Sequence, residues 1–186
     1  MQTSAYKHLA WGVPLVILVL VALDQALKFY ITSHFDLGES VEVLPFFQLC
    51  YVENNGMAFG MEWMPKWALT LFRIVMVGLL SYYMYMLAGK QHARLSYIAM
   101  IVLVTAGALG NIIDCVFYGR LFNYAPWFYG KVVDMLYFPI IRNAAGETLF
   151  FRPVFNIADS YITIAVFAII LFFRKDLNDS LETKKE

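Results

Sequence analysis

The sequence predicts a membrane protein that is mainly α-helical, with four transmembrane helices and a small extracytoplasmic β-sheet and loop region lying on the membrane. Composition is the first reason, because hydrophobic residues make up 61% of the 186 residues and charged residues only 15%, against roughly 25% charged in soluble domains. The second reason is that the apolar residues gather into four runs, each near the roughly 20 residues that a helix needs to cross a bilayer. We expect one membrane domain over residues 1–186.

The four runs predict spans at residues 11–31, 67–88, 95–117 and 155–173. The first run resembles a secretory signal, but its apolar part is too long for one. Polar Asp24, Gln25 and Lys28 also stand where a small-residue cleavage site would be. We therefore interpret the first run as a retained span.

Lysine and arginine in the short connections set the orientation of the spans. The link between the second and third spans holds Lys90 and Arg94, and the C-terminal tail is basic, whereas the loop at residues 32–66 is mainly acidic. Both termini should therefore be cytoplasmic. The two longer segments, 32–66 and 118–154, should lie on the outer side.

The outer segments are predicted to contain short β-strands. The stretches "SVEVLPFFQLCYVENN" and "FFRPVFN" are rich in β-branched and aromatic residues and alternate in part. Irregular backbone at membrane depth is tolerated only where protein or water satisfies its hydrogen bonds. We therefore expect a small outer sheet that rests on the membrane.

Composition also narrows the classes of function. The net charge is zero, so the chain offers no basic field that would attract nucleic acid. Cys50 and Cys115 lack the CxxC spacing of a zinc site or redox pair, and two small buried residues are favoured over a disulfide. His8 and His92 are assigned to the cytoplasmic side and His34 stands alone, which gives little support to a metal site or a Ser-His-Asp triad.

Ionisable residues within the spans are functional candidates, because each costs about 2.5 to 3.5 kcal/mol on insertion scales. Asp24 and Lys28 share a helical face at i and i+4, so they either pair with each other or serve a site. For Arg73, inside the second span, a structural partner or a lipid headgroup contact is favoured over chemistry.

Two carboxylates form the strongest candidate site. Asp159 lies about a turn into the outer end of the fourth span, and Asp134 lies in the preceding outer segment. Carboxylates held close together share a proton, so one can activate water while the other protonates a carbonyl oxygen. The alternative is a small proton- or cation-coupled transporter that uses the same carboxylates as a relay, although no internal repeat is evident.

Five sequence blocks add a more specific indication. They are "DQALK" (24–28), "YVENNGMAFG" (51–60), "GNIID" (110–114), "VVD" (132–134) and "FNIADS" (155–160). In this order, and on four spans of this polarity, they resemble the lipoprotein signal peptidase (signal peptidase II) family of bacteria. The resemblance extends over about residues 20–175.

The resemblance implies an intramembrane aspartic endopeptidase of the bacterial cytoplasmic (inner) membrane that acts near the extracytoplasmic face. Such an enzyme removes the signal peptide from prolipoproteins by cleaving before a lipobox cysteine that carries a diacylglyceryl group. It uses an activated water and neither metal nor cofactor. Its partners are the prolipoprotein substrates and membrane lipid, inhibitors of the globomycin type occupy the same cleft, and a monomer is expected.

The resemblance also assigns residues to roles. The catalytic dyad maps onto Asp134 and Asp159. Apart from the resemblance, the apolar side chains of Met57 and Phe59 are expected either to contact lipid or the substrate's signal helix or to touch the membrane without specificity. Supporting or substrate-binding positions map onto Asp24, Lys28, Asn54, Gly56, Asn111, Asp114, Asn156 and Ala158. A helix cap is the alternative role for the two asparagines near helix ends.

The chain departs from the family pattern at two points. Cys115 stands directly after "GNIID", where the family usually has a basic residue, and Arg120 is a candidate replacement. The inserts "LFNYAPWFYG" and "IIRNAAGETLFF" lengthen the outer segment. Within the first, "NYAPWFYG" serves either as a flap over the site or as a passive anchor.

Overall fold

A computed structural model describes residues 2–56, 64–88, 94–143, 148–150 and 153–182 of the chain. Its helices are α1 (Gln2–His34), α2 (Lys66–Ala88), α3 (Leu95–Ile113), α4 (Gly119–Leu121), α5 (Ile157–Phe172) and α6 (Arg174–Leu181). A π-helix, Asp114–Tyr118, joins α3 to α4 without a break. The predicted mainly helical class is confirmed. Met57 and Phe59 lie outside the described residues.

Among the described residues, three helical stretches are long and apolar enough to cross a membrane, and they are Gly12–His34, Lys66–Leu87 and Leu95–Leu121. They match the first three predicted spans, and the third runs farther than expected because the π-helix and α4 continue it. The fourth prediction, 155–173, corresponds to α5, which has only 16 residues and so a length of about 24 Å. It meets α6 at a bend of 84°, and the two together form a fourth candidate span.

Helix α3 lies at the centre and packs against α1, α2 and α5. The closest approach is at Gly107, where an added Cβ would lie 2.4 Å from the carbonyl oxygen of Ala158 on α5. Ala158 and Ala165 are fully buried. Small residues on facing helices let their backbones approach closely within a membrane, so the N-terminal end of α5 is held directly against α3.

The strands form an antiparallel sheet and a separate two-stranded ribbon. The sheet has the order β1 (Ser40–Leu44), β2 (Phe47–Asn54), β3 (Val132–Tyr137), β6 (Val154–Phe155), and the ribbon pairs β4 (Ile141–Arg142) with β5 (Thr148–Phe150). The predicted strands β1 and β2 are confirmed. The prediction on "FFRPVFN" is confirmed at β6, whereas residues 151–152 lie outside the described part.

Strand β3 was not predicted, and it carries Asp134. Its first four residues are all buried, so the strand shows no alternation of apolar and polar positions of the kind that marks a half-exposed strand. Val133 and Met135 pack with Ile31 of α1 and Tyr118 of the π-helix in a small core. This core holds β3 against the ends of α1 and α3.

The segment "NYAPWFYG" lies against the end of α3. The backbone NH of Gly130 donates to the carbonyl oxygen of Cys115 at 2.9 Å, and that of Phe128 donates to Val116 at 3.2 Å. The Thr70 hydroxyl of α2 donates to the carbonyl oxygen of Phe128 at 3.1 Å. These bonds attach the segment to both α2 and the π-helix, an arrangement that favours the anchor over the flap.

Candidate active site

Asp159 lies in the first turn of α5, and Asn156 caps that helix. The amide oxygen of Asn156 accepts a hydrogen bond from the backbone NH of Asp159 at 2.8 Å, and the Asp159 carboxylate accepts from the backbone NH of Asn156 at 3.5 Å. This reciprocal arrangement is a capping box. It directs the Asp159 side chain back toward the start of the helix, where the sheet lies.

Asp134, only 2% exposed, meets the same asparagine from β3. The side-chain amide of Asn156 donates to one carboxylate oxygen of Asp134 at 2.7 Å, and that of Asn54 donates to the other at 3.1 Å. Asn156 therefore contacts both aspartates, one through each end of its amide. The predicted helix cap is confirmed for Asn156, and the same side chain also hydrogen-bonds to Asp134, so its supporting role stays a prediction.

The electrostatic setting of Asp134 favours its protonated form. Burial raises the pKa of its carboxyl group to about 7, and the negative charge of Asp159 acts in the same direction. Hydrogen bonds from Asn54 and Asn156 and the charge of Lys28 oppose this rise only in part. A carboxyl group with such a pKa can both hold and release a proton near neutral pH.

Asn111, near the end of α3, supports Asp159. Its amide donates to a carboxylate oxygen of Asp159 at 2.7 Å. Its own carbonyl oxygen accepts from Lys28 at 3.0 Å and from Asn156 at 3.1 Å. The orientation of the amide is therefore fixed, with the donor end toward the carboxylate. The caps of α3 are Arg94 and Asp114, so the cap alternative does not hold for Asn111, and its functional role stays a prediction.

A buried ion triad lies beside these groups. The Lys28 ammonium is 2.9 Å from a carboxylate oxygen of Asp24 and 2.6 Å from one of Asp114, and none of the three residues is more than 1% exposed. Asp24 also accepts from the backbone NH of Ala158 at 3.0 Å, and Asp114 accepts from that of Val133 at 3.3 Å. The pairing of Asp24 with Lys28 is confirmed. The triad also links α1 and the π-helix to α5 and β3, the elements that carry Asp159 and Asp134.

Sequence reasoning missed two residues of this network. Gln25 donates to Asp114 at 2.8 Å, and its carbonyl oxygen accepts from the Tyr118 hydroxyl at 3.1 Å. Gln25 lies inside the block "DQALK", which could have indicated it, but a buried tyrosine at the end of an apolar run gives no such signal. Both residues help to fix the position of Asp114.

Arg73 of α2 has structural partners, as favoured from the sequence. Its guanidinium donates to the carbonyl oxygen of Gly56 and to the Cys115 sulfur, the latter at 3.1 Å. Cys50 and Cys115 are both buried free thiols. The side chain of Arg120 is exposed. The basic group beside position 115 therefore comes from Arg73 rather than from Arg120.

Comparison with known proteins identifies the family. The profile of the signal peptidase (SPase) II family matches residues 16–174. A lipoprotein signal peptidase of Porphyromonas gingivalis is 37% identical over 194 residues, covering 91% of this chain and 86% of the relative. One of Chlorobium phaeovibrioides is 34% identical over 148 residues, covering 78% of this chain and 79% of the relative.

A similar structure has also been solved. It is described as a bacterial membrane enzyme obtained by the in meso method, and it is 32% identical to this chain with a TM-score of 0.66. The alignment covers 94% of this chain and 93% of the solved one. The profile match, the identities and the shared fold all agree, and the chain belongs to the signal peptidase II family of membrane proteases.

Proposed function

We propose that the chain is an aspartic endopeptidase that removes signal peptides from diacylglyceryl-modified prolipoproteins, with Asp134 and Asp159 as its catalytic dyad. The observation that carries this proposal is the position of the buried Asn156 amide, which donates to the Asp134 carboxylate and accepts from the backbone NH of Asp159. The same Asn156 amide also donates to Asn111, and Asn111 donates to the Asp159 carboxylate. The negative charge of Asp159 contributes to raising the pKa of Asp134 to about 7, and two carboxylates that interact in this way suit a shared proton. Family membership supports the cleavage of prolipoprotein signal peptides.

In the proposed mechanism a water molecule between the two carboxylates attacks the scissile carbonyl carbon. The ionised carboxylate takes a proton from the water as the new C–O bond forms, and the protonated one donates to the carbonyl oxygen. The resulting tetrahedral species collapses when a proton passes to the leaving nitrogen and the C–N bond breaks. The acid and base roles belong to the pair of aspartates and not to one residue each, because coupled carboxyl groups titrate together.

The supporting residues hold this pair in place. Asn54 and Asn156 donate to Asp134, and Asn111 donates to Asp159. Hydrogen bonds that orient reacting groups in advance lower the reorganisation required at the transition state. Lys28 acts through Asn111, whose carbonyl oxygen it contacts, and through its partners Asp24 and Asp114.

The proposed substrate reaches the site from the membrane. We place the sheet and the dyad at the outer face of the bacterial inner membrane, with both termini in the cytoplasm and the protein acting as a monomer. The signal helix and the acyl chains of the substrate would then lie in lipid while the bond before the lipidated cysteine meets the aspartates. Globomycin-type inhibitors are expected to compete for this place. The transporter alternative is not favoured, because the family that matches is a protease family.

The dyad is tested by replacing each aspartate separately. Asp134→Asn and Asp159→Asn should each abolish detectable cleavage of a lipidated precursor in detergent, because neither variant can share a proton between two carboxyl groups. Asp36→Asn, which alters an exposed acid in the connection after α1, is the matched control and should retain normal turnover. A folded dyad variant with near-normal turnover would refute the assignment.

The substrate class is tested with one precursor prepared with and without its diacylglyceryl group. The lipidated form should be cleaved before the modified cysteine, and cleavage should be blocked by globomycin. Mass analysis of the product locates the cut. Equal cleavage of both forms would show that the lipid is not part of the recognised substrate.

A further inference from the structure

We propose that Arg73 is a positioning residue of the active site, which holds the turn at residues 54–56 so that the side-chain amide of Asn54 faces Asp134. This inference rests on the proposed dyad. Arg73 is a charged residue within a membrane span, and the sequence predicted only a structural partner or a lipid headgroup contact for it. The proposal gives it a role in the active site. The connection runs through three hydrogen bonds.

The first bond joins the helix to the turn. Arg73 lies in α2, about two turns after Lys66, and its guanidinium donates to the carbonyl oxygen of Gly56 and to the Cys115 sulfur. Both acceptors are uncharged atoms, and one belongs to α3's continuation. The guanidinium therefore connects the turn, α2 and the π-helix, and the planar fork of arginine suits two such acceptors at once.

The turn is shaped to receive the guanidinium. Gly56 has a φ of +76°, which favours glycine. A Cβ at this position would lie 2.6 Å from one terminal nitrogen of Arg73 and 2.8 Å from the other. Only a residue without a side chain lets the guanidinium approach so closely. Gly56, assigned as a supporting position from the sequence, is thus explained by its contact with Arg73.

The second and third bonds run from the turn to Asp134. The backbone NH of Gly56 donates to the amide oxygen of Asn54 at 2.8 Å, and the amide nitrogen of Asn54 donates to Asp134 at 3.1 Å. The first of these bonds decides which end of the amide faces the carboxylate. If Gly56 moves, the Asn54 amide is free to rotate, and a carbonyl oxygen facing a carboxylate is repelled.

The effect passes through geometry rather than through the charge of Arg73. The charged groups that act on Asp134 are Asp159 from α5 and Lys28 from α1, and the hydrogen bonds come from Asn54 and Asn156. Loss of the bond from Asn54 removes a group that favours the ionised form of Asp134. The apparent pKa values of the dyad should then rise.

The test compares Arg73→Gln and Arg73→Lys with the unsubstituted protein on the lipidated precursor. For Arg73→Gln we expect kcat to fall about tenfold with KM nearly unchanged, and the pH profile of kcat/KM to move to higher pH. Arg73→Lys keeps the charge but loses the planar guanidinium, so its kcat should lie between those of the unsubstituted protein and Arg73→Gln. If Arg73→Gln does not fold, the kcat and pH profile of Arg73→Lys test the positioning role by themselves. Arg120→Gln, at an exposed arginine, is the matched control and should change none of these values.

A double-mutant cycle with Asn54→Ala shows whether both residues act on one path. The double variant should lose little more activity than Asn54→Ala alone, and both single variants should shift the pH profile in the same direction. Additive losses, or a lower melting temperature with an unmoved pH profile, would overturn the inference. Failure of the proposed function is distinguished by Asp134→Asn, because that variant would then remain active whatever the Arg73 variants do.

Discussion

At the scale of single residues, the buried charges of this protein affect both its stability and the geometry of its candidate active site. Lys28 lies wholly buried between Asp24 and Asp114, and its partners hold the backbone of α5 and β3. A buried ion pair adds little net stability, but removal of one partner is costly because it leaves an uncompensated charge. The triad therefore holds α5 and β3, the elements that carry Asp159 and Asp134, in their relative positions.

Lys28→Met should lower the free energy of unfolding by about 3–5 kcal/mol, because two buried carboxylates lose their cation. Thermal or denaturant unfolding in detergent measures the change. Arg94→Gln is the control, since Arg94 is 63% exposed in its pair with Asp176 and exposed pairs contribute about 1 kcal/mol or less. Equal changes in the free energy of unfolding for the two substitutions would contradict this structural role of the triad.

The pKa of Asp134 makes stability depend on pH. Its folded-state pKa is raised to about 7 from an ordinary value of 3.8, so between these values the folded state holds a proton that the unfolded state releases. The free energy of unfolding should therefore fall as pH rises through this window and level off above it.

This decline should be weaker in Asp134→Asn, which has no proton to release. Melting temperatures of both proteins between about pH 4.5 and about pH 8 make the comparison. A decline of the same size in Asp134→Asn would assign the pH dependence to another group.

At the scale of secondary-structure elements, the site depends on how closely α5 approaches α3. The capping box at Asn156 begins α5, and Gly107 sets the distance between the two helices. Gly107→Ala should lower both stability and turnover, because its Cβ would lie 2.4 Å from the Ala158 carbonyl oxygen and 2.7 Å from the Ile162 side chain. The helices must separate to admit it, and Asn111 then moves away from Asp159.

Gly78→Ala in α2 is the matched control for this prediction. No atom lies within 4 Å of an added Cβ there, and alanine is favoured over glycine inside a helix by roughly 0.5–1 kcal/mol. Melting temperature and turnover of both variants are measured together. If Gly107→Ala were as well tolerated as Gly78→Ala, close packing of α3 and α5 would not be required.

At the scale of the whole molecule, the helices present apolar surface outward. Leu18 of α1, Leu79 of α2 and Phe167 of α5 are each more than half exposed, and exposed apolar surface of this extent suits lipid rather than water. With family membership, this makes the chain an integral membrane protein. The proposed orientation in the membrane rests on the basic link and tail of the sequence and is open to a direct test.

Single cysteines introduced at exposed positions test the proposed orientation. Leu37→Cys, in the connection between α1 and β1, should react with a membrane-impermeant thiol reagent in intact spheroplasts, and Asp179→Cys on α6 only after permeabilisation. The two native cysteines are buried, so the unsubstituted protein supplies the background. The reverse labelling pattern would invert the proposed topology.

The sequence alone determined the helical class, the first three spans, strands β1 and β2, and the family. These features depend on local composition and on ordered blocks such as "FNIADS". Both can be recognised along the chain without knowledge of its tertiary structure. The pairing of Asp24 with Lys28 was foreseeable for the same reason, because helical geometry places i and i+4 on one face.

Only the tertiary structure decided how the site is put together. Strand β3 lacked a signal because it is buried on both faces, and the third partner of the triad, Asp114, lies on a different helix from Lys28. The link from Arg73 through Gly56 and Asn54 to Asp134 joins three separate elements. Hydrogen bonds between residues far apart in the chain exist only after the elements pack, and no local pattern of residue types encodes them.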